Sequence, residues 1–176
     1  MAAIGCGTGR LFKTSYWNTL KTKEMNTEHI YEVEVSWVNN RIGLLYSPEL
    51  NDRITVATPP QFPKGVEKIW SPEHLFTAAL NSCLMTTFLS IAENSKLEFE
   101  HFSSKAAGKL EIVDGKYMMS EVRLMPKLII AREEDMSRAM RVLQKSEAAC
   151  LISNSIKSKI VFEPEVKISR SEGAVL

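Results

Sequence analysis

Cys83 lies near the middle of an apolar stretch, SPEHLFTAALNSCLMTTFLSIAE, running from Ser71 to Glu93, and Cys150 follows sixty-seven positions later within SEAACLIS. Two thiols, each on its own predicted helix, pose a redox pair as the chemistry to test. The plainer reading is that each is a free cysteine packed as a small hydrophobe. Phe76, Ala79, Cys83 and Thr86 or Thr87 recur at three-to-four spacing, so the Cys83 thiol shares a helix face with small and apolar residues. Such a wall raises a thiol pKa, because the thiolate loses solvation there. A reactive Cys83 therefore needs a compensating cation from elsewhere in the chain.

The elements that must position these thiols follow from the residue pattern. Ser71, Pro72 and Glu73 predict a helix start as N-cap, N1 and N2, with the acid where the helix dipole favours it. Upstream, Tyr31, Val33, Val35 and Trp37 alternate with Glu32, Glu34 and Ser36, which predicts a strand over His29 to Trp37 with one wet face. Asn39-Asn40 make a turn, and two short strands follow over Arg41 to Tyr46 and Arg53 to Ala57. Pro59, Pro60, Pro63 and Gly65 turn Thr58 to Trp70 into a loop leading to the helix. Beyond the helix, Phe99 to Val113 and Lys116 to Ile130 form a long hairpin around Asp114-Gly115, with a break or bulge expected at Pro126. A second helix is predicted over Glu133 to Ser153, with Met136, Met140, Leu143, Glu147 and Cys150 or Leu151 in helical period, and a last strand over Lys157 to Ile168. Strands and helices do not alternate strictly, so the fold class is α+β with mostly antiparallel pairing.

The chain has 176 residues, enough for one domain with a real core. Residues 1–27 differ from the rest, with Gly5, Gly7 and Gly9 and no acid before Glu24, and read as an N-terminal extension ahead of a domain at residues 28–170. Cys6 belongs to that extension and receives no role. A net charge of +1 and the lack of a basic stripe argue against nucleic acid as a partner. Asn81, Ser82, Thr86, Thr87 and Ser90 interrupt the longest apolar run, so no membrane span is expected. Three cysteines without a secretory signal point to a reducing cytoplasm, and His29, His74 and His101 show no metal-ligand spacing.

Three segments carry a resemblance to a known family. They are SPEHLFTAALNSC at Ser71 to Cys83, NNRIG at Asn39 to Gly43 and EAAC at Glu147 to Cys150. Over about residues 29 to 168 the chain resembles the osmotically inducible protein C and organic hydroperoxide resistance (OsmC/Ohr) thiol peroxidases. The resemblance implies an OsmC-like fold, with antiparallel sheets packed around two central helices in an intertwined homodimer. It implies that Cys83 attacks the peroxide and that Cys150 resolves the resulting sulfenic acid as a disulfide. Arg41 would stabilise the thiolate and Glu73 would hold Arg41. The forty-two positions from Arg41 to Cys83 also fit the organic-hydroperoxide branch. The pattern departs from the family at Leu151, where Pro is common, and over Ala79 to Ser82, which match neither named branch.

Helix geometry adds a constraint of its own. Glu73 and Cys83 are ten residues apart on one helix, about 15 Å at 1.5 Å per residue, so one straight helix does not bring them into a compact site. Two copies packed antiparallel about a two-fold axis would do so, and a bridging Arg41 from the same chain is the alternative. The favoured function is a thiol peroxidase for organic hydroperoxides, with Phe62, Phe76, Leu80 and Met85 as an apolar pocket. It would hold no cofactor and would take electrons from an external dithiol, lipoyl or thioredoxin-like. The rival is an OsmC-like module that binds or senses a small ligand without catalysis.

Overall fold

Helix α1, Pro72–Asn94, begins as the sequence predicts: Ser71 is extended at φ −113° and ψ 165°, and its hydroxyl accepts the His74 N–H at 3.4 Å. Leu80, Leu84, Phe88 and Ala92 recur at every fourth position and form its buried stripe. At the far end the Ser95 and Leu97 N–H groups bond the Ile91 and Ala92 carbonyls, and Lys96, at φ 50°, turns the chain away.

The computed structural model describes residues 28–169, and Val33 onward forms one compact unit; residues 28–32 belong to a separate unit and hold no helix or strand. The expected extension at residues 1–27, with Cys6, lies outside the described residues. Strands β1 (Glu34–Asn39), β2 (Ile42–Tyr46) and β3 (Ile54–Ala57) form an antiparallel sheet in that order. Asn40, at φ 44°, makes the first turn. The alternation predicted one buried face for β1, yet every β1 residue is exposed in the single chain, Trp37 by 77%.

Strands β4 (His101–Val113) and β5 (Lys116–Ile130) make the long hairpin. Asp114 at φ 49° and Gly115 at φ 76° both occupy the left-handed region that a two-residue primed turn requires. The irregularity expected at Pro126 is found instead between Lys109 and Leu110, and Pro126 stays in register opposite Ser104. The reason lies on the other side of β5. Strand β6 (Lys159–Phe162) pairs parallel with Glu121–Leu124 and β7 (Glu165–Ile168) with Lys127–Ile130, so Pro126 falls in the gap between them. One predicted last strand is thus two, split at Glu163-Pro164, and the sheet is mixed.

The second predicted helix is also divided. A 3-10 turn at Glu133–Asp135 leads into α2 (Met136–Ala148), and α3 (Leu151–Asn154) follows after a break. Against α1 and the hairpin these elements close two core clusters. Phe88, Leu97, Leu128, Ile130 and Leu143 belong to one, and Leu80, Leu84, Val122 and Leu124 to the other, with Ile152 and Ile156 packed against the second. Phe88 stacks on Phe102 with ring centroids 4.5 Å apart. Helix α1 is in fact long and apolar enough to cross a bilayer, contrary to the expectation that its polar residues cut the run short, but its buried stripe serves the core between these clusters.

Gly108 lets α1 approach the hairpin closely. A Cβ there would stand 2.5 Å from both Thr77 Oγ1 and Met119 Cε. Leu84 is fully buried in the cluster nearest the thiols. Leu84→Ala is expected to lower the free energy of unfolding by about 3 kcal/mol in urea denaturation, with the exposed Gln144→Ala as a near-neutral control.

Candidate functional site

The site begins where α2 stops. Cys150, with φ −64° and ψ 113°, leaves helical geometry and becomes the N-cap of α3. No Gly or Pro forces this exit; hydrogen bonds hold it. The Cys150 N–H bonds the Glu147 carbonyl at 3.1 Å, the Asn154 Nδ2 donates to the Ala148 carbonyl at 3.0 Å, and the Asn154 N–H bonds the Cys150 carbonyl at 3.1 Å. The end of α2 is thereby capped by the start of α3. Cys150 is fully buried.

Cys83 meets this junction from α1. The Ile152 N–H donates to Cys83 Sγ at 3.5 Å, and Thr87 Oγ1, one turn along α1, lies 4.0 Å from the sulfur. Cys83 itself is half-buried, so one thiol is open to a reactant and the other is sealed behind it. Both are free thiols. Their electrostatics diverge. Burial pushes the Cys83 thiol up, but hydrogen bonds from the Cys150 thiol, the Ile152 N–H, the Thr87 hydroxyl and the Leu151 N–H together outweigh it and hold its pKa below the ordinary thiol value. Burial likewise pushes Cys150 up, its hydrogen bond to Cys83 pushes it further, and Ser153 opposes both without reversing them. The pair therefore has a defined polarity: Cys83 ionises before Cys150.

The compensating groups differ from the cation that the sequence suggested. Arg41 is exposed at the turn between β1 and β2, and neither it nor Glu73 takes part in an ion pair among the described residues. Within one chain the Cys83 thiolate is favoured by the Cys150 thiol, the Thr87 hydroxyl and two backbone N–H groups. Ile152 and Leu151 gave no signal in the sequence, because any residue but proline offers the same N–H. Leu151 is informative for that reason: where the resembling family commonly has Pro, this chain has an N–H against Cys83.

Glu73 sits elsewhere. It lines a cavity of about 700 Å³ with Phe62, Trp70, Asn81, Leu110 and Tyr117, along the N-terminal half of α1, whereas Cys83 lies at the middle of that helix. Glu73 Oε2 and Asn81 Oδ1 are both buried without a hydrogen-bond partner. Of the four residues expected to form an apolar pocket, Phe62 lines this cavity. Leu80 is fully buried in the core, Phe76 packs against the same cluster and Met85 is 41% exposed on α1. No group of three or more metal-ligating side chains occurs among the described residues.

The family model described as OsmC-like protein matches residues 65–165, which span α1, the hairpin and both thiols. This chain belongs to the OsmC-like protein family. It is similar to the uncharacterized protein YmaD of Bacillus subtilis, with 23% identity over 80% of this chain and 95% of YmaD. Its fold is similar to that of an OsmC-like protein of unknown function, VCA0330, from Vibrio cholerae, with 24% identity, a TM-score of 0.70 and coverage of 78% of this chain and 99% of that one. An organic hydroperoxide resistance protein from Elizabethkingia anophelis superposes with a TM-score of 0.65 at 18% identity, covering 82% of this chain and 100% of the other. The α+β class and the OsmC-like fold are those of this family.

The geometry makes a direct prediction. With Cys83 below and Cys150 above the ordinary thiol value, iodoacetamide alkylation of Cys83, followed by mass mapping, should rise at lower pH than that of a model thiol. Leu151→Pro deletes one donor and should move the Cys83 midpoint upward, whereas Leu151→Ala keeps the N–H and should leave it in place. An unchanged midpoint in Leu151→Pro would show that this amide does not act on the thiolate.

Proposed function

We propose that this protein is a thiol peroxidase that reduces organic hydroperoxides to alcohols. The observation that carries the reading is the polarised thiol pair, a half-exposed Cys83 whose pKa is held down by Cys150, beside a buried Cys150 whose own pKa is pushed up. Cys83 thiolate attacks the terminal peroxide oxygen, the O–O bond breaks, and the departing alkoxide takes a proton to become the alcohol. Cys83 is oxidised by two electrons to a sulfenic acid. Cys150 then displaces the sulfenic hydroxyl as water and forms the disulfide, which an external dithiol reopens by exchange. A lipoyl group or a thioredoxin-like protein would serve as that dithiol. The chemistry needs no bound cofactor. Among similar folds, proteins from Legionella pneumophila and Elizabethkingia anophelis bear organic hydroperoxide resistance names, which agrees with this substrate class.

The working form in this reading is a homodimer in the cytoplasm. Three features support a second copy. Met85 and Leu89 stand exposed along α1, β1 shows Val35 and Trp37 to solvent, and Glu73 Oε2 is buried without a partner. An antiparallel second α1 would cover the first and bring the cavity around Glu73 toward the other copy's Cys83, with Arg41 supplied to the Glu73 carboxylate as a bidentate pair. Leu89→Asp should then convert the protein from dimer to monomer in sedimentation velocity, and a monomeric wild type would sink this assembly.

The first test is chemical. Reduced protein mixed with one equivalent of cumene hydroperoxide should lose both thiols within seconds and yield a Cys83 to Cys150 disulfide in peptide mapping. Cys83→Ser should abolish the reaction, and Cys150→Ser should stop at a sulfenic acid that dimedone traps. Persistence of both free thiols in the wild type would refute the peroxidase and favour a ligand-binding module of the same fold.

A further inference from the structure

Ser153 is a polar side chain at the thiol junction whose hydroxyl makes no hydrogen bond in the reduced protein, although the residue favours a Cys150 thiolate. Its Oγ is buried and has no hydrogen-bond partner, a costly state for a hydroxyl and a rare one in native structures. It occupies the third position of α3, three residues after the N-cap Cys150, the spacing at which an N-cap side chain and the third helical residue face one another. Cys150 is fully buried, so no solvent reaches its sulfur. The Ile152 N–H that precedes Ser153 is directed at the other sulfur, Cys83, and the Leu151 N–H likewise favours the Cys83 thiolate.

The peroxidase reading, on which this inference rests, asks something particular of Cys150. In the reduced state its thiol proton is donated to Cys83. Once Cys83 is a sulfenic acid, the Cys150 sulfur must attack it: the S–S bond forms, the S–O bond breaks, and the thiol proton leaves with the hydroxyl as water. No further oxidant or reductant enters this step. Negative charge gathers on the Cys150 sulfur as the proton departs, in a place from which water is excluded. A buried charge without a donor is strongly disfavoured. Burial and Cys83 both work against a Cys150 thiolate, and the residue that works for it is Ser153.

We propose that the Ser153 hydroxyl donates a hydrogen bond to the Cys150 sulfur as it attacks the Cys83 sulfenic acid, and so sets the rate of disulfide formation. The hydroxyl is left unpartnered in the reduced protein because its acceptor exists only while the resolving sulfur is charged. A hydroxyl rotor is suited to this, since its proton reorients without moving the backbone. In this proposal Ser153 serves the second step, at the Cys150 sulfur, and not the first, at Cys83.

The experiment separates the two steps in the full-length protein. Wild type, Ser153→Ala and Ser153→Thr are reduced, mixed with one equivalent of cumene hydroperoxide, and quenched over time with dimedone or with a thiol alkylator. Sulfenic acid should form at the same rate in all three. The disulfide should form about tenfold more slowly in Ser153→Ala, as expected for losing a hydrogen bond to a charged sulfur, with more dimedone adduct and more sulfinic acid at excess peroxide. Ser153→Thr keeps the hydroxyl and should restore the rate. Diamide replaces peroxide in a parallel series, because its thiol adduct on Cys83 is resolved by the same Cys150 attack. A slowed diamide disulfide in Ser153→Ala, with no peroxide reaction in the wild type, would refute the peroxidase and leave the role of Ser153 standing. Disulfide formation at the wild-type rate in Ser153→Ala with both oxidants would overturn the inference. So would a slowed rate that Ser153→Thr fails to restore at unchanged thermal stability, which would mark the residue as packing alone.

Discussion

The Ile152 N–H reaches Cys83 Sγ only because the chain leaves helical geometry at Cys150. Were α2 to continue through Ser153, the N–H groups of residues 151 to 153 would be spent on carbonyls one turn back, as in any helix interior. The break frees them. It also turns the Cys150 side chain inward and starts a short second helix whose first donors lie against a sulfur. The departure costs the terminal carbonyls of α2 their regular partners, and Cys150 N–H and Asn154 Nδ2 restore two of them, at Glu147 and Ala148. One local exchange of hydrogen bonds thus places the buried thiol and aims the amides at the exposed one. The core depends on the same turn, since Ile152 and Ile156 reach the Leu80, Leu84, Val122 and Leu124 cluster from beyond it.

Burial then does the sorting between two chemically identical groups. Desolvation is the largest influence on each thiol and acts upward on both. What separates them is the supply of donors. Cys83 receives hydrogen bonds from four groups, while Cys150 donates one to Cys83 and is left with Ser153. A thiolate is the nucleophile in thiol chemistry, so the donor count and the exposure agree on which sulfur reacts first. The stability linkage runs in opposite senses for the two. A depressed Cys83 pKa stabilises the fold once pH has risen above the ordinary thiol value, whereas a raised Cys150 pKa gives stability that is lost as pH climbs through the value of the folded state. The pair is poised for reactivity, and its two contributions to folding oppose each other at alkaline pH.

Much of this was legible in the residues. Ser71, Pro72 and Glu73 announced the start of α1, and Asp114-Gly115 announced the hairpin, because caps and primed turns depend on side chains at fixed offsets. Cys83 and Cys150 were legible as a pair through their apolar settings. The break at Cys150 was not, since Ser146-Glu147-Ala148-Ala149 is a run of residues content in a helix, and tertiary burial of Cys150 overrides that weak preference. The thiolate donors were invisible for the same reason: a backbone N–H has no letter of its own. Pro126 misled in the opposite direction. A proline in a strand suggests a bulge, yet here β6 and β7 leave a gap beside it, a fact about Glu163 and Pro164 far along the chain.

Several demands of the chain are unmet within a single copy. Helix α1 serves the core with Leu80, Leu84, Phe88 and Ala92, yet its Met85 and Leu89 stand in solvent. The sheet of β1, β2 and β3 shows Val35 and Trp37 outward, and neither face of β1 is covered. Glu73 Oε2 and Asn81 Oδ1 are withdrawn from water and lack donors. A single chain cannot answer these together, because the cation suited to Glu73 sits on the exposed turn at Arg41, without an ion pair among the described residues. In the proposed homodimer, the exposed apolar residues of α1 and β1 and the orphan acceptors beside the cavity of about 700 Å³ would be covered by the second copy. The thiol pair needs nothing from that interface to acquire its polarity, which comes from within one chain. The interface would instead decide what reaches Cys83. On the proposed peroxidase reading the chemistry would reside in the junction of α1 with α3, and selectivity in the cavity that a second copy would present to it.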